Sequence, residues 1–440
     1  VARFNVQDVA FGAKGDAIKL LDATVASGSN VVTSATAKFV AGDVGKAIWG
    51  ADPVLHVPVL ARTTITARLS ATQVTVGVNA TANLSGACVV FGTDDTAAFQ
   101  AMFAAAVAAY RGGSVPGYFE IPSAGYIVSQ RWYRNAGTVF AAAGPDVVGD
   151  GTNQTQFYLA PDFTVPGDGS TMFMENVGVG INWRGITVDG CYAVFATAPD
   201  QSVIRIAQAA NFSARDIHIV NLGLGTGSFM WKTDGCRQFH CDNIIAQNST
   251  TVGNGGAMWV EDCGGLYSAC FASNTNANIR FVNINGRSTL TTPFTWEGGG
   301  SDEGGSPTVA LINAIVGMRG IINFNGIDAP AIGFDVDAQS ALYIEDSNVG
   351  RFLGYGGPAT PLKNRGLVVS KGTTWRGNSS LTPAKFMDNK GGGRFVDVGC
   401  NEYRRYSADD TFTRVTPFDC FDGPWPIVNG SWGPFSEAPY

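Results

Sequence analysis

The feature that most limits what this chain can fold into is a series of short strands, separated by turns, running from about Trp132 to Asn378. The strands Met172-Phe173-Met174-Glu175, Ile204-Arg205-Ile206-Ala207, Phe229-Met230-Trp231-Lys232, Met258-Trp259-Val260-Glu261 and Ile279-Arg280-Phe281-Val282 align with one another. From Ile206 the third position recurs at Trp231, Val260 and Phe281, spacings of 25, 29 and 21 residues. Such spacings belong to repeat architectures, in which each coil buries its apolar face by stacking on the next. No sustained helical period competes with this pattern.

Period-two alternation turns the first and third positions inward and the second and fourth outward. The alignment therefore predicts two outward columns. One holds Phe173, Arg205, Met230, Trp259 and Arg280; the other holds Glu175, Ala207, Lys232, Glu261 and Val282. A second strand in each coil ends on Asp189, Asn221, Asn248, Asn274 or Asn325. Stacked Asn and Asp at one turn satisfy backbone groups or hold left-handed conformations, so these residues read as a structural ladder.

Composition narrows the possible ligands. Among 440 residues 56 are glycine and 15% are charged, which suits many tight turns. With 29 basic and 36 acidic residues the net charge is −7, so there is no cationic footprint for a nucleic acid. No apolar run approaches the ~20 residues of a spanning helix, and membrane insertion is not expected. The start Val1-Ala2-Arg3-Phe4 lacks the layout of a signal peptide, so either export by that route is not expected or a leader is missing. The eight cysteines contain no CxxC pair and read as buried thiols, with Cys400 and Cys420 the best candidates for any bridge. There is no GxxxxGK[ST], EF-hand or HExxH pattern, and neither a cofactor nor a metal is expected. His56, His218 and His240 lie in no ligand set and read as surface or packed residues.

Three segments near the N-terminus belong together. Phe4-Asn5-Val6-Gln7-Asp8-Val9-Ala10-Phe11-Gly12-Ala13-Lys14-Gly15-Asp16 is a strand ending in glycine-rich turn chemistry. In Gly92-Thr93-Asp94-Asp95-Thr96, Thr93 or Asp94 caps a helix whose apolar face continues through Phe103, Val107 and Tyr110 until Gly112-Gly113. Phe119-Glu120-Ile121-Pro122 and Gly125-Tyr126-Ile127-Val128 are two strands separated by a turn. The set resembles the opening of the pectate-lyase superfamily β-helices found in phage tailspikes.

That resemblance implies an all-β fold: a right-handed single-stranded parallel β-helix with an N-terminal capping helix and a small inserted β-domain. Residues 1–16 and 92–131 would form the cap, 17–91 the insertion, 132–380 the β-helix and 381–440 a closing segment. It further implies a homotrimer on the virion tail, folded in the host cytoplasm, that acts on a bacterial surface polysaccharide. Asp16, Asp94 and Asp95 would be capping residues that bind neither metal nor substrate.

Glycoside hydrolysis asks for two carboxyl groups roughly 5 to 9.5 Å apart. Coils stack about 4.8 Å apart, so Glu175 and Glu261, aligned three coils apart, would be roughly 14 Å apart and cannot pair. Asp234, just past the end of the preceding strand, lies one diagonal step from Glu261 or Asp262. Asp234, Glu261 and Asp262 are therefore the candidate acid–base set. Trp259 would stack on a sugar face. Arg205, Lys232 and Arg280 would flank the same surface and hold acidic sugars, with Glu175 a further substrate contact. The plainer alternative is an exposed Lys232–Glu261 ion pair worth at most about 1 kcal/mol.

A second acidic cluster, Trp296-Glu297 with Asp302 and Glu303, sits in a glycine-rich loop that overhangs the groove, reaches a neighbouring chain or is a solvated excursion. The leading expectation is an endo-acting glycosidase on capsule or O-antigen. A lyase on a uronic-acid glycan comes next, followed by a non-catalytic receptor-binding spike and a secreted cell-wall enzyme.

Overall fold

The computed structural model describes residues 2–54, 57–111, 117–136, 140, 144–164, 171–178, 180–195, 201–225, 228–248, 256–273, 279–284, 294–302, 307, 309–323, 332–350, 360–376, 387–388, 393–397, 403–404, 413–415, 427–428 and 431–432. It divides into two compact units, residues 1–232 with 244–255 and residues 233–243 with 256–440. Both are built from coils of a right-handed single-stranded parallel β-helix.

In the first unit, Arg3–Asn5 pairs in parallel with Tyr118–Ile121. Between them a closed antiparallel barrel is inserted, made of Ile18–Val25, Val31–Thr33, Ala47–Asp52, Val57–Arg68, Gln73–Val76 and Leu84–Gly92. Closure leaves no open edge, and alternating Val, Ile, Leu and Phe fill the interior around Phe39 and Phe91, whose rings lie 4.9 Å apart. Trp49, Cys88 and Val90 of the barrel form a second core with Ile127, Tyr158, Ala160 and Cys191 of the coils. Beside it Lys19 Nζ lies 2.6 Å from Asp189 Oδ2, both nearly buried. Burial alone would lower the Lys19 pKa, but the Asp189 carboxylate outweighs it and holds the ammonium charged.

The capping helix spans Thr96–Arg111. Asp94 Oδ1 accepts the Thr96 N–H at 3.0 Å, and the Asp95 carbonyl accepts the Ala98 N–H at 3.0 Å. The Asp95 carboxylate turns back to the N–H groups of Lys14 (2.6 Å) and Gly15 (3.1 Å), while Asp16 accepts the Thr93 N–H (2.7 Å) and hydroxyl (3.0 Å). Gly15 is required in this knot: its φ is +57°, and a Cβ there would meet Ala124 Cβ at 2.7 Å. Phe99 carries the helix into the aromatic core, with its ring 5.3 Å from Tyr126 and 5.1 Å from both Trp132 and Phe157.

The knot makes a pH prediction. Burial, followed by the neighbouring charges of Asp16 and Asp94, pushes Asp95 up to about 6 despite its two backbone donors. A carboxyl whose pKa is raised by folding stabilises the native state while protonated and loses that contribution as pH rises through the folded value. The melting temperature is therefore expected to fall between about pH 4 and pH 6 in the native protein. Calorimetry on Asp95→Asn should show that slope flattened.

In the coils of this unit Tyr133–Ala136, Thr171–Val177 and Ser202–Ala207 pair in register, as do Asp146–Gly149, Asn182–Val194 and Ser213–Gly223. The expected polar ladder is present: Asn221 Nδ2 donates to Asp189 Oδ1 (3.3 Å) and Asn248 Nδ2 to Asn221 Oδ1 (3.2 Å). Asn221 and Asn248 hold φ of 56° and 57°, the left-handed conformation their side chains tolerate. Asn274 and Asn325 lie outside the described residues.

In the second unit one sheet stacks Gly256–Glu261, Ile279–Val282, Val309–Ile312, Ile332–Val336 and Thr360–Asn364. Another stacks Gly264–Ser268, Thr295–Glu297, Ile315–Arg319, Ala341–Glu345, Leu367–Lys371, Arg394–Asp397 and Thr413–Val415. Parallel pairing thus continues beyond residue 380, where the repeat was expected to end. Cys88, Cys191, Cys236, Cys241, Cys263 and Cys270 are free, buried thiols, whereas Cys400 and Cys420 lie outside the described residues. Among the described residues no helix is long and apolar enough to cross a membrane.

Candidate active site

In the first unit the structure corrects the register of one strand. A bulge between Thr171 and Met174 shifts the strand so that Glu175 stands opposite Arg134 on one side and Arg205 on the other. Its carboxylate lies 3.1 Å from Arg205 Nη1 and 3.4 Å from Arg134 Nε, with the Glu175 side chain only 3% exposed. Glu175 is therefore not an outward substrate contact. It braces two guanidinium groups, of which the sequence alignment found only Arg205. Phe173, expected outward, is buried against Trp132 and Phe157, and Met230 is buried as well. The Phe229 N–H donates to the Gln201 carbonyl, which sets Lys232 opposite Arg205, 27 residues later; both side chains are partly exposed.

In the second unit the decisive contact is the Gly235 N–H donating to the Glu261 carbonyl at 2.9 Å. The same bond follows each paired rung: Asp262 N–H reaches the Val282 carbonyl just after the Glu261–Val282 pair. Asp234 thus stands directly opposite Glu261 on adjacent coils, the place that the alignment had given to Lys232. Both residues are half-buried and follow a buried neighbour, Thr233 or Val260. The turns after them are built alike. The Cys236 thiol donates to the Asp234 carbonyl (3.3 Å) and the Cys263 thiol to the Glu261 carbonyl (3.0 Å), while the Cys236 N–H contacts Cys263 Sγ (3.4 Å). Behind the face the Thr233 and Tyr267 hydroxyls are 2.8 Å apart.

Trp259 lies on the same face as Glu261, two residues earlier, and its Nε1 donates to Glu261 Oε2 at 3.0 Å. Arg280 pairs with Trp259 in register but does not flank the surface as expected. It is buried, and its Nη1 donates to the carbonyls of Ile279 (3.0 Å) and Pro307 (3.1 Å). Burial lowers its pKa to about 10, with Asp335 opposing the shift, so it remains a cation held by the backbone at neutral pH.

Asp262 occupies a different kind of position. Its φ is 46°, one of a ladder of left-handed turn residues that includes Asn283 (54°) and Asn313 (51°), and Asn313 Nδ2 donates to Asn283 Oδ1 at 3.1 Å. Asp and Asn both tolerate this conformation. Asp262→Asn is therefore expected to keep wild-type cleavage within about threefold, whereas β-branched Asp262→Val should lower the melting temperature through backbone strain of order 1–3 kcal/mol. Thermal melts with activity assays on both variants check this.

The second acidic cluster is described in part. Trp296 is buried with its Nε1 bonded to the Gly298 carbonyl (2.8 Å), and Glu297 stands exposed opposite Ser268 and Arg319. Asp302 ends a short strand, and Glu303 lies outside the described residues. His240 is exposed, its Nε2 2.7 Å from Ser268 Oγ, which donates to Asp242 Oδ1 at 2.6 Å. Burial lowers the His218 pKa. Among the described residues no group of three or more His, Cys, Asp or Glu is placed to hold a metal ion.

No family model and no curated protein matches this sequence. Among solved structures, the A-module of a mannuronan C-5 epimerase from Azotobacter vinelandii is similar over 74% of this chain and 94% of its own, at 14% identity and a TM-score of 0.43. The product of ORF18 of Geobacillus virus E2 is similar over 74% of this chain, at 13% identity and a TM-score of 0.40. Tailspike protein 3 of bacteriophage CBA120 is similar over 77% of this chain, at 11% identity and a TM-score of 0.41. This chain spans 57% and 60% of those two phage chains. The strand register itself establishes the class to which the chain belongs: it is a parallel β-helix with an inserted barrel.

Proposed function

We propose that this protein is a phage tailspike that binds a bacterial surface polysaccharide, an O-antigen or capsule, and depolymerises it by endo-glycosidic hydrolysis. The observation that carries the reading is the Gly235–Glu261 backbone bond, which sets Asp234 and Glu261 side by side on adjacent coils. Rungs are about 4.8 Å apart, a backbone spacing that admits the ~5–5.5 Å carboxyl separation of retaining glycosidases. One carboxyl would protonate the leaving oxygen while the other attacks the sugar carbon, and water would then release the glycosyl group. Trp259, on the strand of Glu261, offers a ring for the sugar's apolar face. Trimeric assembly on the virion tail is part of the same proposal and rests on the resemblance of the N-terminal segments.

Hydrolysis is preferred over elimination because the residues that stand opposite each other, Asp234 and Glu261, are two carboxylates, while Arg280 is turned into backbone carbonyls. Product chemistry tests the choice. Digestion of purified surface polysaccharides should release new reducing ends without the ultraviolet absorbance of unsaturated sugars. Absorbing products would establish a lyase, and binding without shortening would establish a non-catalytic spike.

A further inference from the structure

We propose that Trp259 is a positioning residue for Glu261, in addition to offering a face to sugar. The inference rests on the reading of Glu261 as one of the two reacting carboxylates. The two residues are separated by one position on the strand Gly256–Glu261 and project from the same face. The indole has a single donor and no acceptor, so the 3.0 Å contact has a fixed sense: Nε1–H donates and Glu261 Oε2 accepts. That bond engages one carboxylate oxygen and restrains the torsional freedom that a half-buried glutamate otherwise has.

The geometry couples two functions in one side chain. Stacking uses the face of the indole, and orientation uses its N–H edge. On the neighbouring coil the residue paired with Trp259 is Arg280, whose guanidinium is held by two carbonyls. On the rung that pairs with Glu261, Asp234 comes before it and Val282 after it.

Phenylalanine separates the two functions, because it keeps an aromatic face and loses the N–H. On a polysaccharide that the wild type cleaves, Trp259→Phe is expected to lower kcat about 10- to 100-fold while moving KM by less than about threefold. Trp259→Ala should lower kcat similarly and raise KM as well. Trp259→Tyr, expected to behave like the phenylalanine variant, guards against a packing defect peculiar to one replacement.

A second readout needs no substrate. The Trp259 indole N–H resonance, assigned by its loss in Trp259→Phe, should move upfield in Glu261→Gln as a charge-assisted bond becomes a neutral one. Unchanged kcat with raised KM in Trp259→Phe, or an indole resonance indifferent to Glu261→Gln, would overturn the proposal. If Glu261→Gln itself keeps full activity while the resonance moves, the contact stands and the catalytic reading of Glu261 fails.

Discussion

Glu261→Gln and Asp234→Asn are each expected to lower the rate of polysaccharide cleavage by about 10² to 10⁴, the usual worth of a positioned acid or base. Each replacement is nearly isosteric and sits at a half-exposed position, so melting temperatures should stay close to wild type. Combining them should cost little more than the worse single variant, because the two groups act in one reaction and their losses do not add. Reducing-end release at matched protein concentration measures all three. A double variant that loses the sum of the two would mean that the residues act independently.

The largest stability effect is expected at Lys19. Lys19→Met leaves the Asp189 carboxylate buried beside the barrel–coil core without the cation 2.6 Å away. Removing one partner of a buried pair costs about 3–5 kcal/mol, far more than an exposed ion pair contributes. Asp189 also accepts the Cys191 N–H (2.8 Å) and Asn221 Nδ2 (3.3 Å), which keeps the loss toward the lower end of that range. Denaturant unfolding of the variant measures it. Replacing Asp189 by Asn in the same chain should recover part of the loss, because the uncompensated charge is then gone.

These two sites differ in how legible they were in the sequence. The coil architecture could be read because period-two alternation and Asn/Asp turn chemistry are local properties of each strand. The ladder of Asp189, Asn221 and Asn248 was legible for the same reason. Register was not, because a slip of two residues preserves every inward and outward assignment while changing which side chains meet. Glu175 was misplaced by such a slip, of which the Thr171–Met174 bulge, which no residue type announces, supplies one residue.

The strand ending in Asp234 was misplaced by the same amount, yet here a signal existed. Asp234-Gly235-Cys236 and Glu261-Asp262-Cys263 repeat a carboxylate, a left-handed turn residue and a cysteine at a spacing of 27 residues. Aligning those triplets pairs Asp234 with Glu261 without recourse to the strands. Asp262 entered the acid–base set because its residue type fits catalysis as well as it fits a left-handed turn, and only φ distinguishes the two. Arg280 looked available because position parity says that a side chain leaves the core, not that neighbouring carbonyls then capture it. Lys19 and Asp189 lie 170 residues apart in the chain, and a contact of that range leaves no local pattern.

The central claim is that the paired carboxylates of Asp234 and Glu261 cut a surface polysaccharide that the β-helix binds. The most direct test is the length distribution of such a polysaccharide, measured by size-exclusion chromatography before and after incubation with the wild type and with the Asp234→Asn, Glu261→Gln double variant. The expected result is progressive shortening by the wild type, and retained binding with unchanged polymer length for the double variant. Equal shortening by both proteins would contradict the claim, as would a polymer that the wild type binds and leaves intact.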